Sequence, residues 1–232
     1  MIFRQLFDQV SSTYTYLIAE PSSGEAILVD PVITNVPQYL QLISELELGL
    51  VLAADTHIHA DHVTGLGALR DETLCAIVMG EHSKAECVNY KVRDGEQLKV
   101  GSINLDVIYT PGHTDDSYSF LVQGRVLTGD TLLIRGTGRT DFQNGDPAMQ
   151  YNSLFNKLLQ LPDETIVYPA HDYNGMTIST IGEEKKYNPR LQVSSMQEYV
   201  DLMNGLELED PKLMDIAVPS NLACGLVPTL GH

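Results

Sequence analysis

Apolar positions along this chain follow two rhythms, a period of two and a period near three and a half, and the switches between them mark out strands and helices. Thr13 to Ala19 and Ala26 to Asp30 are short β-branched and aromatic runs separated by Pro21-Ser22-Ser23-Gly24, a hairpin pattern. A further strand is expected to start almost at Met1. Val36, Leu40, Ile43 and Leu46 recur at helical spacing, which predicts a helix over Val36 to Leu46. Leu50 to Ala54 is a continuous apolar run and reads as a buried strand, followed by a short helix from Gly65 to Arg70 and a strand from Ala76 to Met79. The middle is strand-rich: Ile103 to Tyr109, Tyr118 to Val122 and Arg125 to Leu127, with a tight turn at Gln123-Gly124. Tyr151 to Leu159 reads as helix and Thr165 to Tyr168 as strand. From Thr177 onward helices with irregular connections are expected, one of them over Ser194 to Asn204.

Two strand-rich stretches, each with helices attached, predict an α/β protein built as an αββα four-layer sandwich. Two mixed β-sheets would pack face to face with helices outside. The reading is of one domain over residues 1–232 with a short helical extension from about residue 177.

Composition narrows the function classes. An apolar content of 43% with 19% charged residues is that of a folded, water-soluble chain. The formal charge of −17 repels phosphate backbones, so nucleic acid is not an expected partner, which counts against any nuclease reading. No apolar run reaches membrane-spanning length, and Met1 to Val10 is not a signal peptide, so no membrane partner is expected and the cytoplasm is the expected location. Cys75, Cys87 and Cys224 are too few and too scattered for a disulfide framework or a thiolate zinc site, and are expected to be free thiols. A homo-oligomer is left open.

Candidate chemistry lies at the strand ends. Of seven histidines, His82 and His232 read as ordinary side chains. The other five follow apolar strands: His57, His59 and His62 after Leu50 to Ala54, His113 after Ile103 to Tyr109, and His171 after Thr165 to Tyr168. Asp130 follows Arg125 to Leu127 in the same way. Loops at strand ends are where functional residues concentrate. In Thr56-His57-Ile58-His59-Ala60-Asp61-His62 an extended loop turns His57 and His59 to one side, and Asp61 and His62 follow at a helix mouth. Imidazole and carboxylate are good ligands for zinc, iron or manganese. Gly65 and Gly67 allow a close approach of backbone to the site. Taken singly, Asp130 is a plausible turn residue and His171 a satisfied histidine; their shared strand-end position sets them apart.

Thr-His-x-His-x-Asp-His, then Pro111-Gly112-His113, then Thr128-Gly129-Asp130, resembles the metallo-β-lactamase superfamily over nearly the whole chain. The stretch from Thr128 to Gln143, with its Gly-Arg-Thr-Asp-Phe-Gln end, is similar to the persulfide dioxygenases. So are Tyr168-Pro-Ala-His-Asp-Tyr173, Asn188-Pro-Arg-Leu191 and Ala217 to Gly225. The resemblance implies a non-haem iron dioxygenase that oxidises glutathione persulfide with O2 and water to sulfite and glutathione, using one Fe(II) per chain. It places His57, His113 and Asp130 as the iron ligands and catalytic centre, and His59, Asp61, His62 and His171 as supporting residues. Tyr173 and Arg190 match glutathione contacts, and Arg139 with Asp141 is expected to be a buried ion pair holding the loop beneath the metal, with Arg135 in a similar role. The alternative is a binuclear glutathione thioester hydrolase of the glyoxalase II kind. Against it stand the Arg-Thr-Asp-Phe pattern and a segment beyond His171 shorter than that hydrolase's helical domain.

Overall fold

The computed structural model describes residues 1–209 and 213–226; His232 lies outside them. The strand-rich stretches form two six-stranded mixed sheets. The first runs in sequence order through β1 (Ile2–Asp8), β2 (Thr13–Ala19), β3 (Glu25–Val29), β4 (Gly49–Ala54), β5 (Ala76–Gly80) and β6 (Tyr90–Val92). β1, β2 and β3 are joined by short turns and pair antiparallel, while β3 to β6 pair parallel. A parallel pair needs a crossover, and α1 (Val36–Glu45) and α2 (Leu66–Thr73) supply the first two. β2 is buried along its whole length, its two threonines included. α1 buries Val36, Tyr39 and Ile43, one stripe of the predicted helix, in a core with Leu17, Leu28 and Ile77.

The second sheet is β7 (Gln97–Val100), β8 (Ile103–Tyr109), β9 (Tyr118–Val122), β10 (Arg125–Leu127), β11 (Ile166–Tyr168) and β12 (Ser179–Thr180), again in sequence order. β8 to β10 run antiparallel, β10 and β11 parallel, and β11 and β12 antiparallel. α3 (Pro147–Phe155) provides the parallel crossover. Its start is fixed by Asp146, whose carboxylate accepts from the amides of Ala148 and Met149, with Pro147 in the first turn. Val126, Leu154, Leu158, Val167, Ile181 and Tyr199 form the core here. β6, β7 and β12 were not foreseen, because strands of two to four residues carry too few positions to show a period.

The chain divides into two compact units, one of residues 1–92, 98–104 and the described tail 213–226, the other of residues 93–97 and 105–209. The C-terminal helices therefore divide too: α4 (Ile181–Tyr187) and α5 (Met196–Asn204) lie in the second unit and α6 (Met214–Leu222) in the first. No helix among the described residues is long and apolar enough to cross a membrane.

One expectation fails outright. Cys87 and Cys224 are joined in a disulfide, with Cα atoms 6.0 Å apart, and only Cys75 is a free, buried thiol. A sequence separation of 137 residues hides such a pair from any spacing argument. Closing a loop of that length restricts the unfolded chain and is worth about 2–5 kcal/mol in the chain-entropy account.

Candidate metal centre

In the first unit β4 delivers the chain into the histidine loop, and Asp30 at the end of the neighbouring parallel strand ties that loop down. Its Oδ1 accepts from the Thr56 amide (2.7 Å) and its Oδ2 from the Thr56 hydroxyl (3.1 Å). His59 Nε2 lies 3.1 Å from the same Oδ1, so the ring donates there and its Nδ1 carries the lone pair. The Thr56 hydroxyl is also 3.0 Å from His57 Nδ1. With its proton committed to Asp30, that hydroxyl accepts from Nδ1–H, which leaves the lone pair of His57 on Nε2. His62 Nδ1 donates to Asp61 Oδ2 at 2.9 Å, which leaves its lone pair on Nε2 as well. The rings stand close, His57 to His59 at 4.1 Å and His59 to His62 at 4.3 Å between centroids. All three are buried, while Asp61 is partly exposed. Each imidazole thus has one nitrogen committed to an oxygen and the other carrying a lone pair, the arrangement metal-ligating histidines need.

Asp30 was not singled out by sequence reasoning. An acidic residue closing an apolar strand, in Val29-Asp30-Pro31, was the available signal. Asn221 was missed as well: its Nδ2 donates to the carbonyls of His59 and His62, both at 2.9 Å, and its Oδ1 accepts from the Thr64 amide at 2.8 Å. Gly67 serves a different approach from the one expected. A Cβ there would stand 2.7 Å from the Cys224 carbonyl oxygen, so the glycine admits the C-terminal segment rather than the metal loop.

In the second unit the ends of β8, β10 and β11 bring His113, Asp130 and His171 together, at the carboxyl ends of strands where α/β sheets place their ligands. His113 Nδ1–H donates to the main-chain carbonyl of Arg139 at 2.7 Å, which fixes the tautomer and turns Nε2 to within 3.5 Å of Asp130 Oδ2. His171 Nε2 lies 3.8 Å from the same oxygen. Both separations are too long for hydrogen bonds. Asp130 Oδ1 is buried with no hydrogen-bond partner among the described residues. A carboxylate so placed is costly unless a positive charge compensates it, and imidazoles gathered at ligand spacing around it fit a divalent cation.

Gly138 closes this half. Its amide donates to the Asp130 carbonyl at 2.6 Å, and a Cβ on it would stand 2.2 Å from that oxygen and 2.8 Å from the His113 ring. The Arg139–Asp141 pair is not the buried bridge the sequence suggested. The guanidinium makes two bonds to Asp141 at 2.7 and 2.8 Å and stacks over Phe142, but the Asp141 side chain is 52% exposed. Those hydrogen bonds hold the Asp141 carboxyl below the usual carboxylate range. The loop reaches the candidate ligands through main-chain atoms of Gly138 and Arg139, and the charged pair braces it from the solvent side. Arg135 is the arginine with a buried carboxylate partner, Glu184.

Of the two predicted substrate residues, Tyr173 is 71% exposed and stacks parallel on His171, with centroids 6.0 Å apart. Arg190 is part-buried, and its Nη1 donates to the carbonyl and hydroxyl of Thr137. Burial pushes its guanidinium pKa down, and none of its contacts among the described residues is a carboxylate.

The family model of the metallo-beta-lactamase superfamily matches residues 8–171, and the chain belongs to that superfamily. The chain is 43% identical to human mitochondrial persulfide dioxygenase ETHE1, over 97% of this chain and 89% of that protein. It superposes on the crystal structure of ETHE1 from Myxococcus xanthus with a TM-score of 0.95 at 52% identity, covering 97% and 100% of the two chains. A probable hydroxyacylglutathione hydrolase of Schizosaccharomyces pombe is 30% identical over 87% of this chain and 90% of its own length. Within the superfamily these identities place the chain among the persulfide dioxygenases.

Proposed function

We propose that this chain is a mononuclear iron(II) dioxygenase that converts glutathione persulfide, O2 and water into glutathione and sulfite. The observation that carries the metal part is the Asp130 carboxylate, whose buried Oδ1 has no hydrogen-bond partner among the described residues and whose Oδ2 lies 3.5 Å from His113 Nε2. With His57 as third ligand, the donor set is two imidazoles and one carboxylate, which suits non-haem Fe(II) and leaves coordination positions open. Iron supplies redox chemistry toward O2 that zinc lacks. The protein's own part is orientation. The Arg139 carbonyl holds His113 in one tautomer, the Thr56 hydroxyl does so for His57, and the Gly138 amide fixes the main chain at Asp130.

Arg190 and Tyr173 are proposed to receive the glutathione moiety. A guanidinium with no carboxylate partner among the described residues is suited to a carboxylate of the tripeptide, and Tyr173 offers an exposed ring beside His171. Arg190→Ala is expected to raise KM about tenfold with kcat changed less than threefold, the pattern of lost uniform binding. Steady-state oxygen uptake measures both, and an unchanged KM removes the clamp role.

The test of the whole reading is oxygen uptake on adding glutathione persulfide, with metal analysis of the same preparation. About one iron per chain and negligible hydrolysis of lactoylglutathione are expected, following the proposed two-histidine, one-carboxylate set. The second reading, a binuclear thioester hydrolase, is favoured by the retention of His59, Asp61, His62 and His171, with Asp30 and Asp61 each holding one nitrogen of His59 and His62 respectively. Two zinc ions per chain with thioesterase activity would establish it in place of the dioxygenase.

A further inference from the structure

The described tail is hydrogen-bonded directly to the histidine loop. α6 buries Ala217 and Asn221 and rests Val218 and Leu222 on the core of the first unit, while Ile216 is 61% exposed. Asn221 is itself 1% exposed, and every hydrogen-bonding valence accounted for on its side chain goes to the loop: His59 and His62 carbonyls from Nδ2, Thr64 amide to Oδ1. One side chain therefore spans the irregular segment from His59 to Thr64 and pairs buried main-chain groups that need partners there. The residues after Asn221 keep to the same surface. The Gly67 amide donates to the Cys224 carbonyl at 2.8 Å, and Gly225 packs so closely on the Thr64 carbonyl that a Cβ would stand 2.0 Å from it. Cys224 holds a left-handed conformation at φ 56°, an uncommon state for a residue with a side chain, and its bond to Cys87 adds a covalent tie to the hydrogen bonds that hold it.

We propose that Asn221 is a positioning residue for the metal-binding loop and that the Cys87–Cys224 disulfide is a thiol-reducible clasp that keeps it seated. The clasp opens by exchange with a low-molecular-weight monothiol. One thiolate attacks the half-buried Cys87 sulfur, forms a mixed disulfide and releases Cys224 as thiolate, which takes a proton. A second thiol then releases the Cys87 thiol and leaves as the symmetrical disulfide. Two monothiols are oxidised and one protein disulfide is reduced to two thiols. Glutathione, the product of the reaction proposed above, belongs to this class, so the clasp couples metal retention to the thiol pool in which the enzyme works. The inference rests on the metal reading of the loop but not on iron or on dioxygenation.

The test uses the full-length holoprotein without substrate or O2. Release of its own metal to a chromogenic chelator is followed before and after glutathione treatment and in Cys87→Ser and Asn221→Asp; the aspartate keeps the shape of Asn221 and loses both N–H donors. Removing an outer partner of a ligand loop typically weakens metal binding about 10- to 100-fold, and faster release of that order is expected in both variants and in the thiol-treated wild type. Cys87→Ser should not respond further to thiol. The nitrosyl adduct of the iron form should show an altered paramagnetic signal in Asn221→Asp at an unchanged melting midpoint, which a merely structural role would not produce. Intact mass should show the untreated chain lighter by two hydrogens than the reduced one. Equal release rates with the clasp open and closed overturn the clasp, and a wild-type rate and signal in Asn221→Asp overturn the positioning role. If Cys87→Ser does not fold, glutathione treatment of the wild type decides. If the protein holds zinc, the iron reading falls and the same release assay, read on zinc, still decides the clasp.

Discussion

Gly138→Ala is expected to lower kcat/KM by roughly a hundredfold while the protein still folds, because a misplacement of about 1 Å at a reacting centre has that effect. The added methyl would meet the Asp130 carbonyl oxygen at 2.2 Å and the His113 ring at 2.8 Å, neither of which is a flexible side-chain end. Relief requires the loop to lift, which stretches the Gly138 amide bond to Asp130 and the bond that Gln150 Nε2 donates to the Gly138 carbonyl at 3.1 Å. Moving Arg139 with it withdraws the carbonyl that orients His113. Overpacking of this kind costs about 1–3 kcal/mol in stability, within what a domain of ordinary stability tolerates. The separation between the two effects is the informative result. Metal content and oxygen uptake should fall steeply while the melting transition moves by only a few degrees. An alanine variant with full metal content and wild-type turnover would show that the loop approaches the ligands less closely than described.

The second large effect is expected at Asp130. Asp130→Ala removes the only carboxylate of the proposed ligand set, and Asp130→Asn keeps its shape without the charge. Both should lose the metal on dialysis, and with it the several kcal/mol that a bound ion contributes to the transition state, a fall of about a thousandfold or more in kcat/KM. Thermal stability of the metal-free form should rise rather than fall, since an uncompensated buried carboxylate has been taken away. Calorimetry of metal-free wild type and variant checks that sign. A variant that binds metal as the wild type does would remove Asp130 from the ligand set.

The histidine motif was legible because metal chemistry demands particular side chains and the loop holds its donors within six residues of one another. His113, Asp130 and His171 were legible only as strand-end residues, and the sheet order that gathers them at the ends of β8, β10 and β11 explains why that position mattered. The residues that hold the donors in place were harder to see. Arg139 acts on His113 through a main-chain carbonyl, which any residue offers, so its guanidinium drew attention to the wrong atoms. Asp30 acts across a parallel pair from β3 to β4, and its role depends on a register the sequence does not state.

The sequence by itself determined the strand and helix alternation, the acidic surface and the donor types, since each depends on the residue's own chemistry or on its near neighbours. Only the tertiary structure decided that Asn221 spans the His59–Thr64 segment, that Gly138 must lack a side chain and that Cys87 meets Cys224. Each depends on how the chain folds back to meet another segment, and the composition of either segment alone carries no trace of it.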